Sequence, residues 1–257
     1  MNMRLKKWLA ALRLPWVLLA ALFWLLQGYA TMRLVFPRAS LPRRQALTQA
    51  WARRLLRVFR VTVQVQGEPP QTGPLLLVAN HISWLDILLL LAAAPVQFVA
   101  RIENKHWPIL GWMTQQAGAV FVERSSARDM ARVIEQVSGY LRTNGGIVAL
   151  FPEGKTSSGA AVETFHGNML QAAINAGCPV QAVALDYRLK AQGQTTGQRS
   201  TAVSYASPLN FLQSLRNTLA SGPYIAQLQF GQPLAALDHS RKRLAGHLRE
   251  QIVQMRA

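Results

Sequence analysis

His81 and Asp86 stand five positions apart in the heptapeptide Asn80-His81-Ile82-Ser83-Trp84-Leu85-Asp86. Imidazole takes up and returns a proton near neutral pH, and a carboxylate on one ring nitrogen fixes which nitrogen is left as the base. Residues five apart in one regular helix point about 140° away from each other, so this pair cannot meet in mid-helix. It can meet if His81 lies in a turn and Asp86 in the first turn of the helix that follows. A second reading has the same spacing behind it. Ser83 and Asp86 match a helix capping box, in which the carboxylate serves only the backbone. On these seven residues alone both readings stand.

The surrounding pattern supplies the elements that would position the pair. Leu75–Ala79 reads as a buried strand ahead of the turn, and Ser83–Ala93 as a helix behind it, closed by Pro95. Further strands are expected at Val61–Gln66, Val96–Ala100, Ala119–Val122, Ile147–Phe151, Val180–Leu185, Ala202–Tyr205 and Ile225–Phe230. Helices are expected at Pro108–Gln116, Ser126–Thr143 and Thr164–Ala176, with a last one over Arg241–Met255 capped by Asp238. Gln192–Arg199 reads as a mobile loop. Strands with continuous apolar runs, alternating with helices, predict an α/β fold around a mixed, largely parallel sheet flanked by helices.

The first sixty residues are different. Twelve basic residues precede the first acidic one, Glu68, and the whole 257-residue chain carries a formal net charge of +17. Within that basic stretch, Leu14–Met32 is a 19-residue run with no charge. It is long enough for the hydrocarbon core and carries aromatic residues suited to the interface. Gln45–Arg60 places Trp51, Leu55, Leu56 and Phe59 among arginines, a pattern that favours an anionic bilayer surface. Residues 1–60 are therefore expected to anchor the chain to a membrane, by one span or a dipping hairpin, and residues 61–257 to form the catalytic domain. The greasy run argues against a nucleic-acid partner. Cys178 stands alone, so no disulfide framework arises within the chain. No G-x-S-x-G elbow, G-x-G-x-x-G loop or H-E-x-x-H motif occurs, and no metal or bound cofactor is implied.

Three further blocks sit at strand ends, where ligands bind in α/β sheets. They are Arg101-Ile102-Glu103-Asn104-Lys105, Gly118 through Glu123-Arg124, and Phe151-Pro152-Glu153-Gly154-Lys155-Thr156-Ser157. Guanidinium groups at such places suit phosphate. Taken in order with Asn80–Asp86 and with Pro179-Val180, these blocks resemble the glycerolipid acyltransferases, specifically bacterial 1-acylglycerol-3-phosphate acyltransferases and related lysophospholipid acyltransferases. The resemblance covers roughly residues 60–190.

The resemblance implies acyl transfer from acyl-CoA or acyl carrier protein to a lyso-lipid hydroxyl at the cytoplasmic face of a bacterial inner membrane. His81 would be the base and Asp86 its orienter. Arg101, Arg124 and Lys155 would hold an anionic headgroup, with Glu153 and Gly154 shaping the pocket. Lys155-Thr156 stands where the family usually has Thr-Arg. Some family members acting on other lyso-lipids also lack that arginine. Lysophosphatidic acid is thus the first acceptor expected and lyso-ornithine lipid the second. An inactive membrane-binding protein is the reading from another class.

Overall fold

The structure, a computed structural model, describes residues 3–122, 127–191 and 194–257. The chain opens with a long helix, α1 (Met3–Leu34), and a 3-10 turn over Phe36–Arg38 leads to α2 (Leu41–Val58). Then come β1 (Val61–Gln66), β2 (Leu75–Ala79), α3 (Leu85–Ala93) and β3 (Val96–Arg101). A 3-10 segment, Ile102–His106, precedes α4 (Leu110–Gln116), β4 (Val120–Val122), α5 (Ala127–Asn144) and β5 (Ile147–Leu150). The second half holds α6 (Gln171–Ala176), β6 (Pro179–Ala191), β7 (Gln194–Arg199), α7 (Phe211–Ser221), β8 (Tyr224–Phe230), β9 (Leu234–Ala235) and α8 (Arg241–Met255).

Among the described residues the strands form one mixed sheet in the order β1-β8-β6-β2-β5-β3-β4, with β7 and β9 also on β6. β2 lies between β5 and β6 and is parallel to both, while β6 runs antiparallel to β8. The apolar run of β2 follows from that central place. Leu75, Leu77 and Ala79 face one core, with α2, α3 and α7, while Leu76 and Val78 face the other, with α5, α6 and α8. A strand covered on both faces needs apolar residues at every position.

Several expectations are corrected. Gln194–Arg199 is a strand paired with β6, not a loop. Ala202–Tyr205 is a turn rather than a strand, closed by the Ser204 amide on the Thr201 carbonyl. The helix expected over Thr164–Ala176 begins only at Gln171, after a 3-10 turn at Gly167–Leu170. α8 is capped by Ser240, whose hydroxyl accepts the Arg243 amide, and not by Asp238. α7 was not expected at all.

α1 and α2 are tied to this frame. Ala52, Leu55 and Leu56 of α2 are buried in the core that also holds α3, and the Trp51 indole donates to the Trp24 carbonyl at 2.8 Å. The apolar side of α2 is therefore used within the protein. α1 is different: Trp16, Leu19, Leu22 and Phe23 are exposed. Among the described residues, Leu12–Arg38 is the one stretch of helix long and apolar enough to cross a membrane.

Where β2 ends, Asn80 continues its ladder with a side chain. Its amide nitrogen donates to the Leu185 carbonyl at 3.0 Å and its oxygen accepts the Leu185 amide at 2.8 Å. The chain can then leave the sheet at His81 without orphaning the backbone of β6. Asn80→Ala strands two buried groups and should cost roughly 1–3 kcal/mol for each. The measurement is chemical unfolding in detergent; a variant as stable as the parent would refute the clamp.

Candidate active site

The turn after β2 places His81 over the carboxyl ends of the central strands, and α3 starts four residues later. Asp86 lies in the first turn of α3 and is fully buried. Its Oδ2 receives His81 Nδ1 at 2.8 Å, the Ile82 amide at 2.6 Å and the Ser83 amide at 2.9 Å. Its Oδ1 receives the Tyr187 hydroxyl at 2.6 Å. One oxygen thus holds both the imidazole and two backbone amides of the turn, while the capping box expected from Ser83 is not completed, since its hydroxyl accepts the Leu85 amide instead of that of Asp86. These partners fill the roughly four lone-pair sites of an ionised carboxylate. An ionised acceptor with donors all round requires the proton of His81 on Nδ1, which leaves the lone pair on Nε2.

The imidazole is held on its face as well. It stacks on Phe151 with 3.9 Å between centroids and 10° between planes. Its side chain keeps 16% of its surface exposed, against none for Asp86. The imidazole is reachable while the carboxylate that holds it is not.

The loop after β5 holds the backbone of His81. Glu153 Oε1 accepts the His81 amide at 3.1 Å. The His81 carbonyl accepts from the Ser157 amide at 2.8 Å and the Ser157 hydroxyl at 3.0 Å. Gly154 turns the chain between them at φ +71°, in the left-handed region that favours glycine. Glu153 is buried, and its Oε2 has no hydrogen-bond partner among the described residues. Burial pushes its carboxyl up to about 7, against the pull of the His81 amide and ring.

Lys155 and Gly154 are exposed at the mouth of the loop. Arg101 ends β3, its backbone in register with Val122 of β4. Arg124 lies outside the described residues. Tyr187 was not expected, although a signal existed. Leu185-Asp186-Tyr187-Arg188-Leu189-Lys190 alternates apolar and polar residues, which is strand periodicity continuing past Leu185. Burial and the Asp86 charge raise the Tyr187 hydroxyl well above its ordinary value, so it stays a donor.

A mixed sheet with this histidine–aspartate turn and this Phe-Pro-Glu-Gly loop defines a class. The Acyltransferase family model matches residues 60–186. The lyso-ornithine lipid O-acyltransferase of Rhizobium meliloti is 33% identical over 214 residues, which cover 80% of this chain and 69% of that protein. The chain belongs to the acyltransferase family. The lyso-ornithine lipid O-acyltransferase of Pseudomonas aeruginosa is 40% identical over 164 residues, 63% of this chain and 62% of that protein. The 1-acyl-sn-glycerol-3-phosphate acyltransferase of Neisseria gonorrhoeae is 43% identical over 142 residues, 54% of this chain and 53% of that protein. The chain thus spans less than two thirds of the length of these last two relatives. The crystal structure of the 1-acyl-sn-glycerophosphate (LPA) acyltransferase PlsC from Thermotoga maritima shares the fold. Its TM-score is 0.61 at 20% identity, over 99% of this chain and 95% of that one.

Two predictions follow from the geometry. Tyr187→Phe removes a buried donor to a charged acceptor and should cost about 1.5–3 kcal/mol in chemical unfolding; an unchanged midpoint would count against the contact. For Glu153, the folded carboxyl titrates higher than an ordinary glutamate. Its contribution to stability is therefore complete below pH 4.5 and is lost as pH rises through about 7. Glu153→Gln keeps an acceptor for the His81 amide and removes this titration. The melting temperature of the variant relative to the parent should rise steadily from pH 5 to pH 7.5. A difference independent of pH would rule the effect out.

Proposed function

We propose that this protein moves an acyl group from an acyl thioester to the free hydroxyl of a lyso-lipid. One observation carries the reading: His81 Nδ1 is committed to a buried, saturated carboxylate while the imidazole keeps part of its surface exposed, so Nε2 is the nitrogen left to act as base. Nε2 takes the proton of the acceptor hydroxyl as its oxygen bonds to the thioester carbonyl carbon. The carbon–sulfur bond then breaks. The thiolate leaves and receives that proton from the imidazolium, giving an ester and a free thiol. Asp86 holds the imidazolium throughout. The sulfur leaves readily, because a thiol is far more acidic than an alcohol. The chemical demand thus falls on deprotonating the acceptor.

The donor is acyl-CoA or acyl carrier protein, and no bound cofactor takes part. Lysophosphatidic acid is the first acceptor, its product phosphatidic acid; Lys155 at the loop mouth, with Arg101 and Arg124, would meet its phosphate. Lyso-ornithine lipid is the second. It is favoured by Lys155-Thr156 in place of the family's Thr-Arg and by relatives of that name, including one matched over 80% of this chain. α1 would dock the protein on the cytoplasmic face of a bacterial inner membrane. Meeting the acceptor there avoids extracting its chain, at about 0.8 kcal/mol per CH₂. The positive charge of the chain would favour anionic lipid and an acidic carrier protein.

The test is thiol release from acyl-CoA with lysophosphatidate and with lyso-ornithine lipid, in detergent. His81→Ala should lose at least about a thousandfold, and Asp86→Asn nearly as much, if removing the base or its orienter behaves as in other acyl transfers. Near-parental turnover by His81→Ala would overturn the proposal. The faster acceptor decides between the two lipids.

A further inference from the structure

The segment from the end of the Ile102–His106 turn into the first residue of α4 exposes three large apolar side chains in four positions. Trp107 is 56% exposed, Ile109 37% and Leu110 41%. Single exposed apolar residues are ordinary, but a contiguous group marks a docking surface. Ile109 is also held at φ +61°, a region that a β-branched residue rarely enters. Such an outlier persists only where its surroundings impose it.

The place of this segment says what covers it. Met113, one turn into α4, shares a buried cluster with Met32 of α1 and Phe36 of the turn that follows. Trp112 packs on Tyr29 of α1, with ring centroids 4.8 Å apart. The segment is thereby fixed beside the α1–α2 bend, which exposes Leu34, Val35 and Leu41 among Arg33, Arg38 and Arg43. Lys105, exposed, directly precedes the apolar group. Tryptophan and leucine rimmed by basic residues, continuous with an apolar helix, match the interface of an anionic bilayer.

We infer that Trp107–Leu110 is a wedge that enters the bilayer beside α1, a second point of membrane contact on the catalytic domain. The inference rests on the proposed docking through α1. Two adjoining contacts, on α1 and on the segment after β3, restrict the tilt of the sheet on the leaflet as well as its distance. The carboxyl ends of the strands, with His81, are then held at one height over the lipid.

The experiment uses the full chain with Cys178→Ala, which removes the buried thiol, and Ile109→Cys carrying a nitroxide. A second label at Gln254→Cys, exposed on α8, serves as reference. Vesicles of phosphatidylglycerol and phosphatidylethanolamine are added. The label at 109 should become accessible to dissolved oxygen and protected from a water-soluble nickel chelate, while the label at 254 stays open to nickel. In parallel, Trp107→Ser with Ile109→Ser should weaken vesicle binding about tenfold, as expected for losing two inserted apolar side chains. It should leave thiol release on a dispersed, short-chain lysophosphatidate within twofold. If the parent binds no vesicles, docking through α1 fails and the wedge with it. If the parent binds but the label at 109 stays open to nickel, the wedge alone is overturned. Protection from both reagents means that the segment is covered by protein, and this also overturns it.

Discussion

The structure depends on satisfying one fully buried carboxylate. Asp86 is completely buried, and an ion in such a position is costly unless donors surround it. They come from three sources: two backbone amides of its own turn, the imidazole five residues back, and a tyrosine from another strand. Each donor constrains what lies around it. The amides fix the turn, the turn fixes where His81 leaves β2, and the tyrosine fixes β6 against α3. Removing any one leaves the same charge buried with fewer partners, so the site and the local fold stand or fall together.

β6 is the strand on which these constraints converge. Leu185 is clamped by Asn80 through both of its backbone groups. Tyr187 faces the same side and reaches Asp86. Asp186, between them, points to the opposite face, as alternate strand residues must. There it pairs with Arg199 at 2.8 Å and Arg256 at 3.3 Å. Arg256 in turn donates to the Gly159 carbonyl in the loop that carries Glu153. Burial lowers the Arg256 guanidinium, and Asp186 is the largest influence that holds it up. Successive residues of one strand thus brace the histidine turn on one face and the glutamate loop on the other.

What could be read from the sequence was what is local. His81 and Asp86 are five residues apart, and their meeting needed only a strand, a turn and a helix in that order. The central strands declared themselves because burial on both faces leaves an unbroken apolar run. Tyr187 was hidden because it meets Asp86 across about a hundred residues, a contact that no local pattern encodes. α7 was hidden for another reason. Two of its buried positions are Ser214 and Thr218, whose hydroxyls bond back to the Ser204 and Ser214 carbonyls. Polar residues at core positions dilute the apolar period that announces a helix. Its cap was legible all the same, since Asn210 and Gln213 form a reciprocal capping box. Ala202–Tyr205 misled in the opposite sense. Val203 is apolar because it plugs the core, and the Tyr205 amide bonds the Ile82 carbonyl in place of a strand neighbour.

The two motifs of the site lie more than sixty residues apart in the chain, yet neither is complete alone. The His81 amide is satisfied by Glu153, and the His81 carbonyl by both donors of Ser157. Every backbone hydrogen-bonding group of His81 is therefore supplied by the Phe-Pro-Glu-Gly loop, while its side chain is supplied by its own turn. This division separates two tasks. The local turn chooses the tautomer, and the distant loop chooses where the ring stands, with Phe151 setting its plane. Glu153 holds the His81 amide with one oxygen, while its other oxygen is buried without a hydrogen-bond partner among the described residues. Changes in that loop therefore move His81 even where they leave its own turn intact.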